Sequence, residues 1–225
     1  MQEWCIPPQQ DAAFVAQMEQ VLDEYQRPTD PRFPLVCMDE SSKQLTADVR
    51  DPLPLQPGQV VRQDTTYERL GVGNLFIAFE PARGQRDVTV TSQRGKAEWA
   101  AYVKKIVDEL YPQAEVITLV CDQLNTHALS SLYATFPAPE AHRLARKLCL
   151  VHTPKHGSWL NMAEIEFSAL SRQCTDRRFD SREHLEREVA AWTHARNTAA
   201  TTVHWRFTTD DARIKLASLY PTFGP

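Results

Sequence analysis

The chain has 225 residues, 42% of them hydrophobic, and a formal net charge of −4. That is enough for one large domain, or one domain with a short appendage, and for a full core, which excludes wholesale disorder. The acidic balance, with a pI near 6.0, argues against strong unassisted nucleic-acid binding, because phosphate neutralisation needs a cationic excess. A nuclease whose metal ions supply the positive charge remains compatible with it.

Five cysteines, Cys5, Cys37, Cys121, Cys149 and Cys174, are odd in number and scattered without a CxxC pair. They read as reduced core residues of a cytoplasmic protein, with neither a disulfide nor a zinc framework. No signal peptide is visible, and no apolar stretch approaches the roughly 20 residues that span a membrane.

Residues 1–33 are expected to be an N-terminal connector with one helix. Phe14, Val15, Met18, Val21, Leu22 and Tyr25 have helical spacing, with Asp11 as N-cap. Pro28, Pro31 and Pro34 end that helix and lead into the first strand. Met1 stands directly before this segment, so an upstream domain, if the natural protein has one, is expected to be missing from this chain.

Two short apolar runs then organise everything else. Leu35-Val36-Cys37-Met38 stops at Asp39, and Val116-Ile117-Thr118-Leu119-Val120-Cys121 stops at Asp122. Neither run alternates, so each reads as a strand buried on both faces. A carboxylate at the end of such a strand stands at the C-terminal edge of a sheet, where ligands of open α/β sheets gather. After Asp39 and Glu40, residues 43–65 are expected to be mostly loop, with Pro52, Pro54, Pro57 and Gly58. Strands follow at Gly71–Glu80 and Arg86–Thr91, joined by the turn Pro81-Ala82-Arg83-Gly84, so the first three strands form an antiparallel meander.

Trp99, Tyr102, Val103, Ile106, Val107 and Leu110 form an amphipathic stripe. A helix feeding a buried strand is a crossover connection, which lets the Asp122 strand lie parallel to, and beside, the Asp39 strand. A short helix through Tyr133, a second from about Pro139 to Lys147, a strand at Leu148–Val151 and the loop Thr153–Gly157 come next. Ser158 is expected to N-cap a helix Trp159–Arg172, and a long helix runs from Ser181 to about Thr198, followed by a helical tail over Thr208–Leu219. The whole is an α/β chain with a five-stranded mixed sheet, three antiparallel strands plus two parallel ones, flanked by helices, as in ribonuclease H-like proteins.

Carboxylates in such positions suit a hard divalent cation, and a pair of such ions can serve phosphoryl transfer. The third carboxylate must come from the helix after the fifth strand, where Glu164 and Glu166 lie about 80° to either side of the apolar stripe. Periodicity does not choose between them.

Asp39-Glu40, Cys121-Asp122-Gln123-Leu124-Asn125-Thr126-His127 and the block His152-Thr153-Pro154-Lys155-His156-Gly157-Ser158-Trp159-Leu160-Asn161-Met162-Ala163-Glu164 closely resemble the DDE catalytic domain of transposases from the bacterial insertion-sequence branch of the mariner-like superfamily. The resemblance runs from Trp4 to Pro221 and includes Arg196-Asn197 and Trp205-Arg206-Phe207-Thr208. It implies a catalytic domain over residues 34–225 and a catalytic, metal-binding triad of Asp39, Asp122 and Glu164. Two Mg²⁺ or Mn²⁺ ions are implied as cofactors. The implied partner is double-stranded DNA, as transposon terminal repeats and a TA target, with a homodimer assembled on it in a bacterial, nucleoid-associated setting. The activity implied is cleavage at transposon ends and joining of the 3′-hydroxyl to target DNA. Gln123 stands where Asn is commoner, and the 41 residues between Asp122 and Glu164 exceed the spacing of eukaryotic mariner relatives, so the helices between Thr126 and Lys147 read as an insertion.

Other residues carry two readings. Asn125 and His127 either orient substrate phosphate or a metal-bound water, or cap the following helix. Asn161, one turn before Glu164, supports it from behind. Lys155, His156, Arg172, Arg177, Arg178 and Arg182 either contact DNA phosphate or form a solvated face. Glu40 and Glu166 read as solvated or supporting groups, and Trp99 and Trp192 as core. Two other functions compete with the transposase reading. One is a truncated remnant acting as a non-catalytic DNA-binding or dimerisation module, and the other is a ribonuclease H-like nuclease acting on RNA or a junction.

Overall fold

Strands β1 (Leu35–Asp48), β2 (Tyr67–Glu80), β3 (Gln85–Thr91), β4 (Ile117–Cys121) and β5 (Leu148–His152) form one sheet in the order β3-β2-β1-β4-β5. They belong to a computed structural model that describes residues 7, 9–50, 58 and 65–222. β1 pairs antiparallel with β2, and β2 with β3; β4 runs parallel to β1, and β5 parallel to β4. This is the expected mixed, ribonuclease H-like arrangement.

The two central strands are buried on both faces because helices cover both. Val36, Met38, Ile117 and Leu119 face one core, with Trp99, Val103 and Ile106 of α2 (Lys96–Lys105 and its continuation). Cys37 and Val120 face a second core, with Phe14, Met18 and Leu22 of α1 (Ala12–Gln26) and Ala163 of α5 (Met162–Leu170). Asp11 caps α1 by accepting from the Phe14 amide at 3.0 Å. Residue alternation thus sorts neighbours in one strand onto opposite layers.

Several expectations are corrected. β1 does not stop at Asp39, and the loop expected from residue 43 is strand as far as Asp48, paired with β2 from Tyr67 onward and kinked by a bulge at Leu45/Thr46. Hydrogen bonding to β2 carries β1 on after β4 has ended, which the polar run Glu40–Gln44 conceals from a hydropathy reading. The proline-containing part of the expected loop, residues 51–57 and 59–64, lies outside the described residues, as does Cys5. The stripe ending at Leu110 is helical throughout, but its last turn, Ile106–Leu110, widens into a π-turn. Ser158 caps nothing: Ser158–Leu160 is a short 3₁₀ turn, and Asn161 caps α5, its side chain accepting from the Ala163 amide at 3.1 Å. α5 then passes into a second π-turn, Ser171–Thr175.

Helices α3 (Leu129–Thr135) and α4 (Ala138–Ala145) place Leu132, Ala141 and Leu144 in the core beside α2. The segment read as an insertion is therefore part of the packed layer. Helix α6 (Arg182–Thr198) packs Leu185, Val189 and Trp192 against Leu45, Leu75 and Leu170, and α7 (Thr209–Lys215) contributes Ala212 to the α1 core. Cys37, Cys121 and Cys174 are buried free thiols, whereas Cys149 is exposed, because it points outward from the edge strand β5. Among the described residues no helix is long and apolar enough to cross a membrane.

Candidate active site

Cys37 pairs with Val120 in the parallel ladder. Two residues further along each strand are Asp39 and Asp122, so the ladder register puts them at the same level where β4 ends. Their surroundings differ. Asp39 is only 9% exposed, and its Oδ1 accepts from the Glu40 amide at 2.8 Å. It lies on the β1 face of Cys37 and Leu45, the face that α5 covers. Asp122 sits past the strand end, its Oδ1 accepting from the Leu124 amide at 3.1 Å.

Glu164 arrives through a chain of local contacts. The Gly157 amide donates to the Pro154 carbonyl at 2.8 Å, and a Cβ at Gly157 would lie 2.5 Å from Pro154 Cγ, so this tight turn requires glycine. His156 takes the left-handed conformation at φ 64° to complete it. Asn161 Nδ2 then donates to the Met38 carbonyl at 2.9 Å. One buried side chain thus caps α5 and ties it to β1 one residue before Asp39, which sets Glu164, in the first turn of α5, beside Asp39. Tyr25 of α1 fixes the same approach, its hydroxyl donating to the Leu160 carbonyl at 2.6 Å.

The electrostatics follow from this crowding. Burial, then the charge of Glu164, push the Asp39 carboxyl up to about 7, the Glu40 amide opposing and Asp122 adding. Burial also raises Glu164, with the hydrogen bond to Asp39 opposing and the charge of Asp122 adding. Burial would raise Asp122 as well, but its hydrogen bond and ion contact with His127 hold it below its ordinary value.

His127 is the residue whose surroundings the sequence did not show. It is 1% exposed and bridges two carboxylates, with Nδ1 2.6 Å from Asp122 Oδ1 and Nε2 2.9 Å from Glu40 Oε2. Its ring stacks on Trp99 at 5.8 Å. Burial disfavours its charge, yet the bonds to Asp122, Cys121 and Glu40 carry its pKa up to about 12. Capping is excluded for both Asn125 and His127, since α3 starts after Ala128 with no side-chain cap bond. Asn125 is exposed.

The two glutamates of α5 separate completely. Glu164 is exposed over the residue as a whole, with its carboxylate desolvated where it meets Asp39, whereas Glu166, expected to be solvated or supporting, is fully buried. Arg196 of α6 binds Glu166 through Nη2 at 2.8 Å and Nε at 3.1 Å. Arg86 of β3 places Nε 3.1 Å from Glu166 Oε2, an ion contact without hydrogen-bond alignment, and donates through Nη2 to the Thr201 carbonyl at 2.7 Å. Asn197 completes the knot, accepting from the Arg86 amide at 2.9 Å and donating to its carbonyl at 2.8 Å.

The basic residues also divide. Lys155, His156 and Arg172 are exposed, Arg172 donating to Ser168 Oγ at 2.7 Å. Arg177 is paired with Glu188, Arg178 with Asp48, and Arg182 with Glu186. A cleft of about 170 Å³ lies at the other end of β1, among Tyr25, Arg27, Leu35 and Trp205, and includes none of the three clustered carboxylates.

The arrangement fits a divalent cation. Two carboxylates driven toward protonation by burial and by the charge of a neighbouring carboxylate, Glu164 acting on Asp39 and Asp122 on both, mark a place where added positive charge is favourable. Among the described residues no three His, Cys, Asp or Glu side chains stand placed to hold a metal ion by themselves. Mg²⁺ does not require one, being held by one or two carboxylates with water and substrate phosphate completing the shell.

The model of the DDE superfamily endonuclease family matches residues 34–186, more than half of the chain, and the chain belongs to that family. A search of curated proteins gives no match. Among solved structures, the pre-cleavage Mos1 transpososome superposes with a TM-score of 0.62 at 13% identity, over 100% of this chain and 67% of that one. The Mos1 strand transfer complex gives 0.62 at 13% identity, over 100% and 66%. The Mos1 mariner paired end complex with Mn gives 0.61 at 13%, over 100% and 67%. The chain therefore spans about two thirds of the length of these neighbours and has a transposase catalytic-domain fold.

Proposed function

We propose that this protein is the metal-dependent catalytic domain of a DNA transposase, cleaving phosphodiester bonds at transposon ends and joining the 3′-hydroxyl to target DNA. The observation that carries this reading is the convergence of Asp39, Asp122 and Glu164 from β1, β4 and α5, with Asp39 and Glu164 both held toward protonation. Asp39, Asp122 and Glu164 would hold two Mg²⁺ or Mn²⁺ ions, Asp39 being shared. Bound there, such ions supply activation of the attacking oxygen and stabilisation of the leaving oxygen.

In this reading residues 34–225 are the catalytic unit and residues 1–33 a connector whose helix docks on it. His127 and Glu40 hold Asp122 from the α2 side, Asn161 holds the α5 N-terminus against β1, and Asn125 faces substrate at the mouth of the site. Lys155, His156 and Arg172 contact DNA phosphate. Arg177 and Arg178 join them only by exchanging Glu188 and Asp48 for phosphate. The neighbouring structures hold Mos1 as a paired end complex with Mn or Mg; by analogy the partner here is duplex DNA, engaged by a homodimer.

The test is nicking of terminal-repeat duplex in Mg²⁺ or Mn²⁺. Asp39→Ala and Glu164→Gln each abolish nicking while keeping the folded circular dichroism spectrum. Nicking that survives both changes removes the assignment, and preferential cleavage of an RNA–DNA hybrid points to the ribonuclease alternative.

A further inference from the structure

On the α5-facing side of β1, alternation continues Asp39 with Ser41 and Lys43. On α5 and its π-turn, Glu164 is continued at helical spacing by Ser168, Ser171 and Thr175. The two rows start together at the candidate active site and run the same way. They enclose a cleft of about 160 Å³ lined by Ser41, Lys43, Ser171 and Thr175 over a floor of Phe167 and Leu170. At strand and helix rises of about 3.3 and 1.5 Å per residue, the cleft begins about 5–7 Å along from the carboxylates, at Ser41 and Phe167, and Lys43 and Ser171 lie about 10–13 Å along.

The charge balance of this cleft is unusual for the molecule. Lys43 is half-buried, and among the described residues its ammonium meets no carboxylate, only the Phe179 ring at 5.9 Å. Many of the other cations near the sheet are ion-paired, as Lys105 is to Asp87 at 2.7 Å. The hydroxyls of Ser41, Ser171 and Thr175 have no side-chain hydrogen bond within the described protein. A half-buried cation ringed by unspent hydroxyl donors is the chemistry of an anion site. Asp176 is the one acidic lining residue, and it is exposed.

We propose that this cleft is a phosphate subsite for the DNA strand being cleaved, with Lys43 as its cation and the Ser41, Ser171 and Thr175 hydroxyls as donors. The inference rests on the transposase reading above. It adds where the strand goes: away from the carboxylates, along the groove between β1 and α5.

The test measures affinity for a 20-base-pair duplex against salt concentration, in EDTA, so that binding is read apart from metal and cleavage. Lys43→Gln lowers the slope of log K against log salt by about one, Lys43→Arg restores it, and Mn²⁺ binding by calorimetry is unchanged in both. Ser171→Glu, from the opposite wall, weakens binding and steepens no slope. Wild-type-like slope and affinity in Lys43→Gln, beside a wild type that binds and nicks DNA, overturns the subsite alone. A weaker affinity with an unaltered slope marks a packing role and also overturns it. A wild type that binds no duplex at any salt overturns the subsite together with the transposase reading.

Discussion

Asp39 and Glu40 are adjacent, yet one faces α5 and the other faces His127, and this single alternation divides the work of the site. The buried position of Asp39 has a consequence for stability. Its carboxyl titrates near 7 in the folded chain against 3.8 for an ordinary aspartate, so between those values the folded state holds a proton that the unfolded state has lost. Metal-free stability therefore falls as pH rises from about 4 towards 7, and the raised Glu164 adds to the fall. His127, also raised, keeps its contribution intact below 6.5 and loses it only at higher pH, so the acidic part of the slope belongs to the carboxylates. Melting temperatures taken in EDTA at steps across this range decline in the wild type. Asp39→Asn flattens that decline and melts higher than the wild type at pH 7. A wild type that gains stability over the same interval contradicts the placement of these groups.

At the scale of elements, α5 carries two glutamates of opposite fate. Glu166 joins α5 to β3 and α6 through Arg86 and Arg196, with Glu166 and Arg86 fully out of water and Arg196 partly so. Removing one partner of such a set leaves a buried charge uncompensated, at about 3–5 kcal/mol. Glu166→Ala is expected to lower the melting temperature by roughly 6–20 °C, whereas Glu164→Ala, at an exposed position, shifts it by about 2 °C or less. Thermal melts of the two variants side by side distinguish the structural glutamate from the candidate ligand. Equal losses would mean that α5 is rotated from the orientation described.

At the scale of the whole molecule, α1 belongs to the sheet's own core. Met18, Val21 and Leu22 are fully buried with Cys37, Ile77 and Val120 beneath them. Met18→Ala is expected to cost about 2–5 kcal/mol by denaturant unfolding. Deleting residues 1–26 removes several such side chains, more than the typical total of about 5–15 kcal/mol tolerates, so the shortened chain should fail to give a cooperative transition. A shortened chain that still unfolds cooperatively would return α1 to the role of a mere tether.

Much of this was legible in the residues alone. Non-alternating apolar runs ending in aspartate specified two doubly buried strands, and the Trp99–Leu110 stripe specified the crossover that makes them parallel neighbours, because hydrophobic periodicity is a local property. The length of β1 was not legible. Its second half is polar and is held by hydrogen bonds to β2, and backbone pairing leaves no mark on hydropathy. Nor could periodicity separate Glu164 from Glu166: both flank the stripe equally, and only the arrival of Arg86 and Arg196 from β3 and α6 buries one of them. The sequence by itself determined the class of fold and which aspartates close the two apolar runs. The tertiary structure alone decided that Asn161 rather than Ser158 starts α5, that His127 bridges Asp122 and Glu40, and that Lys43 meets no carboxylate among the described residues. Those outcomes depend on groups far apart in the chain, whose meeting no local pattern encodes.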